Sequence, residues 1–129
     1  MIEESTKGLD FGALKDAIER SDAEALTGFY AEDAELRIAQ AALPDGPAFE
    51  LRGKGQIRRY LRAVCEQEMS CSVEEGEVVG EGRIELVEAI SYPEGPPVSI
   101  ATTLEVEGGL IVRHSAVVGR AARGEGGDR

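Results

Sequence analysis

Histidine and cysteine are nearly missing from this 129-residue chain, which has one histidine, His114, and two cysteines, Cys65 and Cys71. A four-ligand zinc site could be assembled only by recruiting carboxylates, so no metal is expected, and no other cofactor is indicated. The two thiols read as small hydrophobes in a reducing compartment. Long apolar runs are lacking too, since no stretch approaches the roughly 18 residues of a membrane span. The opening MIEESTKGLD has neither the basic start nor the apolar core of a secretory signal, which predicts a cytoplasmic protein. Basic residues are also short, 14 against 25 acidic ones, for a net charge of −11. A field of that sign repels phosphates and anionic lipids, so neither nucleic acid nor membrane is an expected partner.

What is present suits a folded domain, with 42% apolar residues. Phe11, Leu14 and Ile18 form one stripe of a helix over about Leu9 to Arg20. Ser21-Asp22-Ala23-Glu24 reads as a capping box with Ser21 at the cap, opening a second short helix that turns Leu26, Phe29 and Tyr30 inward. Glu35 to Gln40 alternates as a half-buried strand, Pro44-Asp45-Gly46-Pro47 breaks it, and Ala48 to Arg52 returns. A third helix then carries Ile57, Tyr60, Leu61 and Val64 on one face.

The second half predicts four strands: Ser70 to Val79, Arg83 to Tyr92, Val98 to Glu107 and Leu110 to Gly119. Gly108-Gly109 supplies the positive φ angles of a two-residue hairpin, and three successive hairpins make an antiparallel meander. Helices first and strands later predict an α+β fold, a cone-shaped curved antiparallel sheet wrapped around the N-terminal helices. Residues 9–119 form the expected domain, between an N-terminal tail (1–8) and a flexible C-terminal tail (120–129). The space between sheet and helices is where a pocket would form.

The phrases DAEALTGFYAEDAEL and FELRGKGQIRRYL carry a resemblance. With the Asp22 turn, Phe29-Tyr30 before Glu32-Asp33-Ala34, Gly53 opening a helix and a last strand ending at Gly119, the chain resembles the nuclear transport factor 2-like superfamily. The SnoaL-like and ketosteroid-isomerase-like branches are nearest, over about Phe11 to Gly119. The resemblance implies a cystatin-like α+β barrel with a ligand cavity, a homodimer through the outer face of the sheet, and functions ranging from isomerases, dehydratases and cyclases to binding domains. Matched position by position, the isomerase's general base falls at Ile38, its oxyanion-hole Tyr near Leu14 and its protonated Asp near Thr102. Two of these three are apolar, which argues against steroid-type isomerisation. The Arg-x-Asp of epoxide hydrolases is missing from the sheet half. The His-Trp-Asp of cyclase-like relatives reads His114-Ser115-Ala116.

Two residues could still carry chemistry. His114 is expected to point into an apolar layer with Leu110, Val112, Ala116 and Val118, where an imidazole could serve as general acid or base or be a satisfied core residue. Glu88, between Leu86 and Ile90 in the alternation and on the side shared with Ile84 and Tyr92, is a carboxylate on an apolar face, where desolvation raises its pKa. Pairing of Glu88 with His114 across the sheet is one possibility. A dimer interface, or a bulge that turns Glu88 to water, is another. Tyr30, Ile38, Tyr60 and Thr102 are the expected pocket lining. The cluster Arg52, Lys54, Arg58, Arg59 and Arg62 beside Gly53 could hold an anion at a helix start or offset nearby acids. The leading expectation is a small, mainly apolar ligand in the cavity. An acid–base enzyme using His114 and Glu88 and a non-catalytic dimeric interaction module are the alternatives.

Overall fold

Asp10 starts the first helix. Its backbone is extended (φ −84°, ψ 97°) and its carboxylate accepts a 3.0 Å hydrogen bond from the Ala13 N–H, supplying one of the orphan donors of α1, Phe11–Arg20. The structure, a computed structural model, describes residues 8–41 and 48–120, the side chain of Arg120 excepted. The break expected at Pro44-Asp45-Gly46-Pro47 lies outside these residues, as do the expected tails (1–8 and 120–129) apart from Gly8 and from Arg120, which ends the last strand.

Helix α1 ends at Ser21, which takes the left-handed conformation (φ 54°, ψ 47°). The Ser21 N–H donates to the Ile18 carbonyl and the Asp22 N–H to the Ala17 carbonyl, which together form a Schellman motif. This corrects the expected capping box. Ser21 closes α1, so Asp22 caps α2, Ala23–Thr27, by accepting from the Ala25 N–H at 3.1 Å. Glu24, the other half of that box, instead accepts from Arg62 at 2.6 Å. Helix α2 is also shorter than expected, and Tyr30 opens a strand rather than completing the helix.

The strands are β1 Tyr30–Gln40, β2 Phe49–Arg52, β3 Ser70–Gly80, β4 Arg83–Ser91, β5 Val98–Glu107 and β6 Leu110–Arg120, with α3 at Lys54–Cys65 between β2 and β3. They form one curved, open sheet in the order β2-β1-β6-β5-β4-β3. The meander from β3 to β6 is antiparallel as expected, and Gly108 (φ 59°) and Gly109 (φ 82°) make its last tight turn. The sheet as a whole is mixed, because β6 returns beside β1 and runs parallel to it. That junction is invisible to alternation, which reports the faces of a strand and not its neighbours.

Helices cover the two ends of the sheet. Helix α1 packs on edge strand β3, α3 lies over β1 and β2, and α2 joins the two helices. The α1 contact is specific: Glu19 accepts from the Val73 N–H at 3.0 Å, and the Phe11 ring occupies the space left by the absent side chain of Gly76. Gly53 opens α3 at φ 93°, ψ 145°, a region that favours glycine, and its N–H donates to Ala34 at 2.8 Å. The fully buried Leu36, Ile57, Ile84, Leu104 and Ile111 belong to the core between these layers. With the helices over the sheet ends, much of the concave face of β4, β5 and β6 fronts a cavity.

Candidate functional site

The inward positions of the central strands follow from register. On β4 they are Ile84, Leu86, Glu88 and Ile90, and each sits opposite an even-numbered β5 residue, Leu104, Thr102, Ile100 and Val98. On β6 the expected parity fails at one end. A bulge pairs Glu105 with Arg113 but Val106 with Ile111, so Val112 is the extra residue. Ile111 therefore faces the core and is fully buried, while Leu110 is 38% exposed. Beyond the bulge His114, Ala116 and Val118 face inward, with Tyr30, Leu36 and Ile38 of β1 beside them.

These residues enclose a cavity of about 400 Å³. Leu14 and Ile18 of α1, Leu26 of α2 and Leu61 and Val64 of α3 form its roof, and the apolar inner faces of β4, β5 and β6 form its floor. Gln67 and Tyr92, both exposed, stand at the rim. All six residues expected at a site line this one space: Tyr30, Ile38, Tyr60, Glu88, Thr102 and His114.

The polar groups are few and distinct. Tyr30 is buried, and its Oη lies 2.8 Å from His114 Nδ1, with the rings near-parallel at 14° and 6.1 Å between centroids. Burial holds the imidazole down to about 4, so it is neutral at physiological pH. His114 keeps some accessible surface, but apolar surroundings give an imidazolium little to solvate it. Burial, then the charge of Glu88, raises the Tyr30 phenol well above its usual range. Both members are thus uncharged. Whether the phenol donates to Nδ1 or Nδ1–H donates to the phenol oxygen, the pair keeps one free donor and one free acceptor.

Glu88 is the lone carboxylate in the lining. Desolvation pushes it up from 4.5 to about 7. Among the described residues no basic side chain pairs with it, and it does not reach His114. The register explains why: Glu88 lies opposite Ile100 and His114 opposite Leu104, with β5 between their strands. That is about 13 Å along the strand and about 10 Å across it. Burial followed by Glu88's charge raises Tyr60, and Cys71 is pushed up to about 12 by the same two causes in the same order. Cys65 is raised by burial and then by Asp22, so both thiols stay protonated. Thr102 is 3% exposed, and its hydroxyl has no hydrogen-bond partner among the described residues.

The Tyr30–His114 pair escaped the sequence reading, and no local signal could have found it. Its members are 84 residues apart on strands whose adjacency only the parallel junction creates. The rim residue Gln67 and the cavity-facing Cys65 and Cys71 were likewise not expected in the lining. In the basic cluster, Arg52 stands 3.0 Å from Glu35, Lys54 3.9 Å from Glu32, and Arg58 and Arg62 at 3.9 and 2.6 Å from Glu24, which supports the charge-offset reading. Among the described residues no group of His, Cys, Asp and Glu is placed to hold a metal, and no helix is long and apolar enough to cross a membrane.

Fold and site together define a small α+β protein with a ligand-sized, mainly apolar cavity between a curved sheet and its helices. A family model, the SnoaL-like domain, matches residues 12–114, and the chain belongs to that family. It is similar in structure to a nuclear transport factor 2-like protein of unknown function from Mesorhizobium loti (TM-score 0.73, 20% identity, 84% of this chain and 87% of that one). It is also similar to a candidate ketosteroid isomerase from Kribbella flavida DSM 17836 (TM-score 0.68, 18% identity, 92% and 80%). A third similar structure is an LEH-like epoxide hydrolase from M. tuberculosis (TM-score 0.61, 14% identity, 84% and 79%). At such identities the likeness is one of fold. No curated protein is similar to the chain in sequence.

Proposed function

We propose that the chain binds a small, mainly apolar molecule in the cavity between sheet and helices. The observation that carries this reading is the cavity itself: about 400 Å³, apolar on roof and floor, with a few polar groups turned inward. That is the size and chemistry of small-molecule sites in general, about 300–1,000 Å³. Native mass spectrometry of freshly purified protein, followed by solvent extraction, tests it. A co-purifying apolar metabolite, or a thermal shift with apolar probes that a bulky Ala116 substitution abolishes, is expected. A protein that carries nothing and responds to no probe speaks against it.

A second reading, acid–base catalysis, draws on Glu88. A carboxyl titrating near 7 can both take and return a proton at neutral pH. His114 then serves to orient the Tyr30 hydroxyl rather than to shuttle protons itself. Activity that follows a single ionisation near pH 7 and is lost in Glu88→Gln would distinguish catalysis from binding.

Two further readings concern the setting. The outer face of the sheet aligns Ala39, Val117, Ala101 and Val87 in one row, with Val117 44% exposed, which favours a homodimer through this face. Val117→Asp should then give a monomer by light scattering. Free Cys65 and Cys71 suit a reducing, cytoplasmic setting.

A further inference from the structure

The cavity has one carboxylate and no cation. Among its lining residues no Lys or Arg occurs. The titratable groups that line the cavity with Glu88 are Tyr30 of β1, Tyr60 and Cys65 of α3, Cys71 of β3, Tyr92 beyond its own strand and, at a distance set by the register, His114 of β6. All are neutral or acidic by nature in this setting, and Glu19 of α1, which is engaged with the Val73 N–H, adds another acid nearby. Three phenol rings, those of Tyr30, Tyr60 and Tyr92, share the cavity with the carboxylate. Its charge acts on Tyr30 and Tyr60, behind burial in each case. A carboxylate among aromatic rings, inside apolar walls and without a protein counter-ion, is the complement of an ammonium group on an apolar body.

Resting on the cavity-binding reading above, we infer that the ligand is a monocationic amphiphile, an apolar body bearing one basic amine that pairs with Glu88 against the Tyr30 and Tyr60 rings. The amine supplies the counter-charge that the protein does not, and an anionic ligand of the same shape meets like charge in an apolar space. An alkylamine stays protonated up to about pH 10, so near pH 8 both partners of the ion pair are charged.

Three probes with one shared body test this: 1-aminoadamantane, 1-adamantanol and 1-adamantanecarboxylate. Binding is measured by titration calorimetry near pH 8 to the full chain and to Glu88→Gln. The amine is expected to bind at least about tenfold tighter than the alcohol, and the carboxylate most weakly. In Glu88→Gln the amine's advantage over the alcohol should vanish, and a cooperative urea transition shows that the variant is folded. If the alcohol binds and the amine does no better, or if the amine's advantage survives in Glu88→Gln, the inference is overturned and the cavity reading stands. If none of the three binds to the wild-type chain, the cavity reading falls and the inference falls with it.

Discussion

Tyr30 and His114 meet at 2.8 Å across the one parallel junction of the sheet, the phenol of β1 reaching the imidazole Nδ1 of β6. Tyr30 sits opposite Ile111 in the register, so its side chain leans along the strand to the level of His114. Removing the phenol hydroxyl leaves a half-buried ring nitrogen without its partner. We expect Tyr30→Phe to lose about 1–2 kcal/mol in urea unfolding. A double-mutant cycle with His114→Phe should show coupling, the double variant losing less than the sum of the single losses. Strictly additive losses would mean that the contact contributes nothing.

His114 also offers a direct reading of its surroundings. It is the chain's lone histidine, so its ring protons give unambiguous NMR signals. We expect a midpoint near pH 4 in the folded protein, against the ordinary 6.5. The sign for stability follows. The folded value is depressed, so this group's contribution is intact above 6.5 and is lost as pH falls through 4. At full protonation the loss approaches about 3 kcal/mol. A midpoint near 6.5 would place the ring in water.

Much of the fold was legible because periodicity survives in this chain. Leu14, Ile57 and Leu61 mark helix faces, and the alternation through Ile84, Leu86, Glu88 and Ile90 places Glu88 inside. What was not legible depends on single extra residues or on neighbours far away in sequence. Val112, as a bulge, moves Ile111 inward and Leu110 outward. The bulge between Tyr30 and Glu35 lets a residue that reads as helical begin a strand. The Tyr30–His114 contact and the gap between His114 and Glu88 are both consequences of strand order, which no local pattern encodes.

Ser21 is the one non-glycine described residue with positive φ. Its left-handed backbone costs about 1–2 kcal/mol for a residue with a Cβ, while the Schellman hydrogen bonds that require it use only main-chain atoms. We expect Ser21→Gly to raise stability by about 1 kcal/mol in chemical denaturation, because Asp22, not Ser21, caps α2. A loss would point to a role for the side chain of Ser21, a residue of the cavity lining.

Gly76 presents the opposite case. A methyl group there would stand 2.5 Å from Phe11 Cζ and 3.2 Å from Leu86 Cδ2. We expect Gly76→Ala to cost about 1–3 kcal/mol by displacing the Phe11 ring from β3. Adding Phe11→Leu should recover part of that loss in thermal unfolding, since a smaller side chain leaves room for the methyl group.

Glu88 should reveal itself through the pH dependence of stability. Its folded pKa of about 7 lies above the ordinary 4.5, so its contribution is fully present below 4.5 and is lost as pH rises through 7. Between about 4.5 and 6.5 this slope opposes that of His114, and the wild-type curve should be nearly flat from these two groups. Glu88→Gln separates them. It keeps the shape of the side chain and cannot ionise, so it should match the wild type near pH 4. By about pH 8 it should exceed the wild type in stability, by up to about 3 kcal/mol. Urea unfolding of both proteins across this range makes the comparison. Parallel curves would mean that the Glu88 carboxylate is solvated, and they would count against both the proton-transfer reading and the ammonium pairing. Diverging curves would show a carboxylate that the protein itself leaves uncompensated, the condition under which a cationic ligand gains most by binding there.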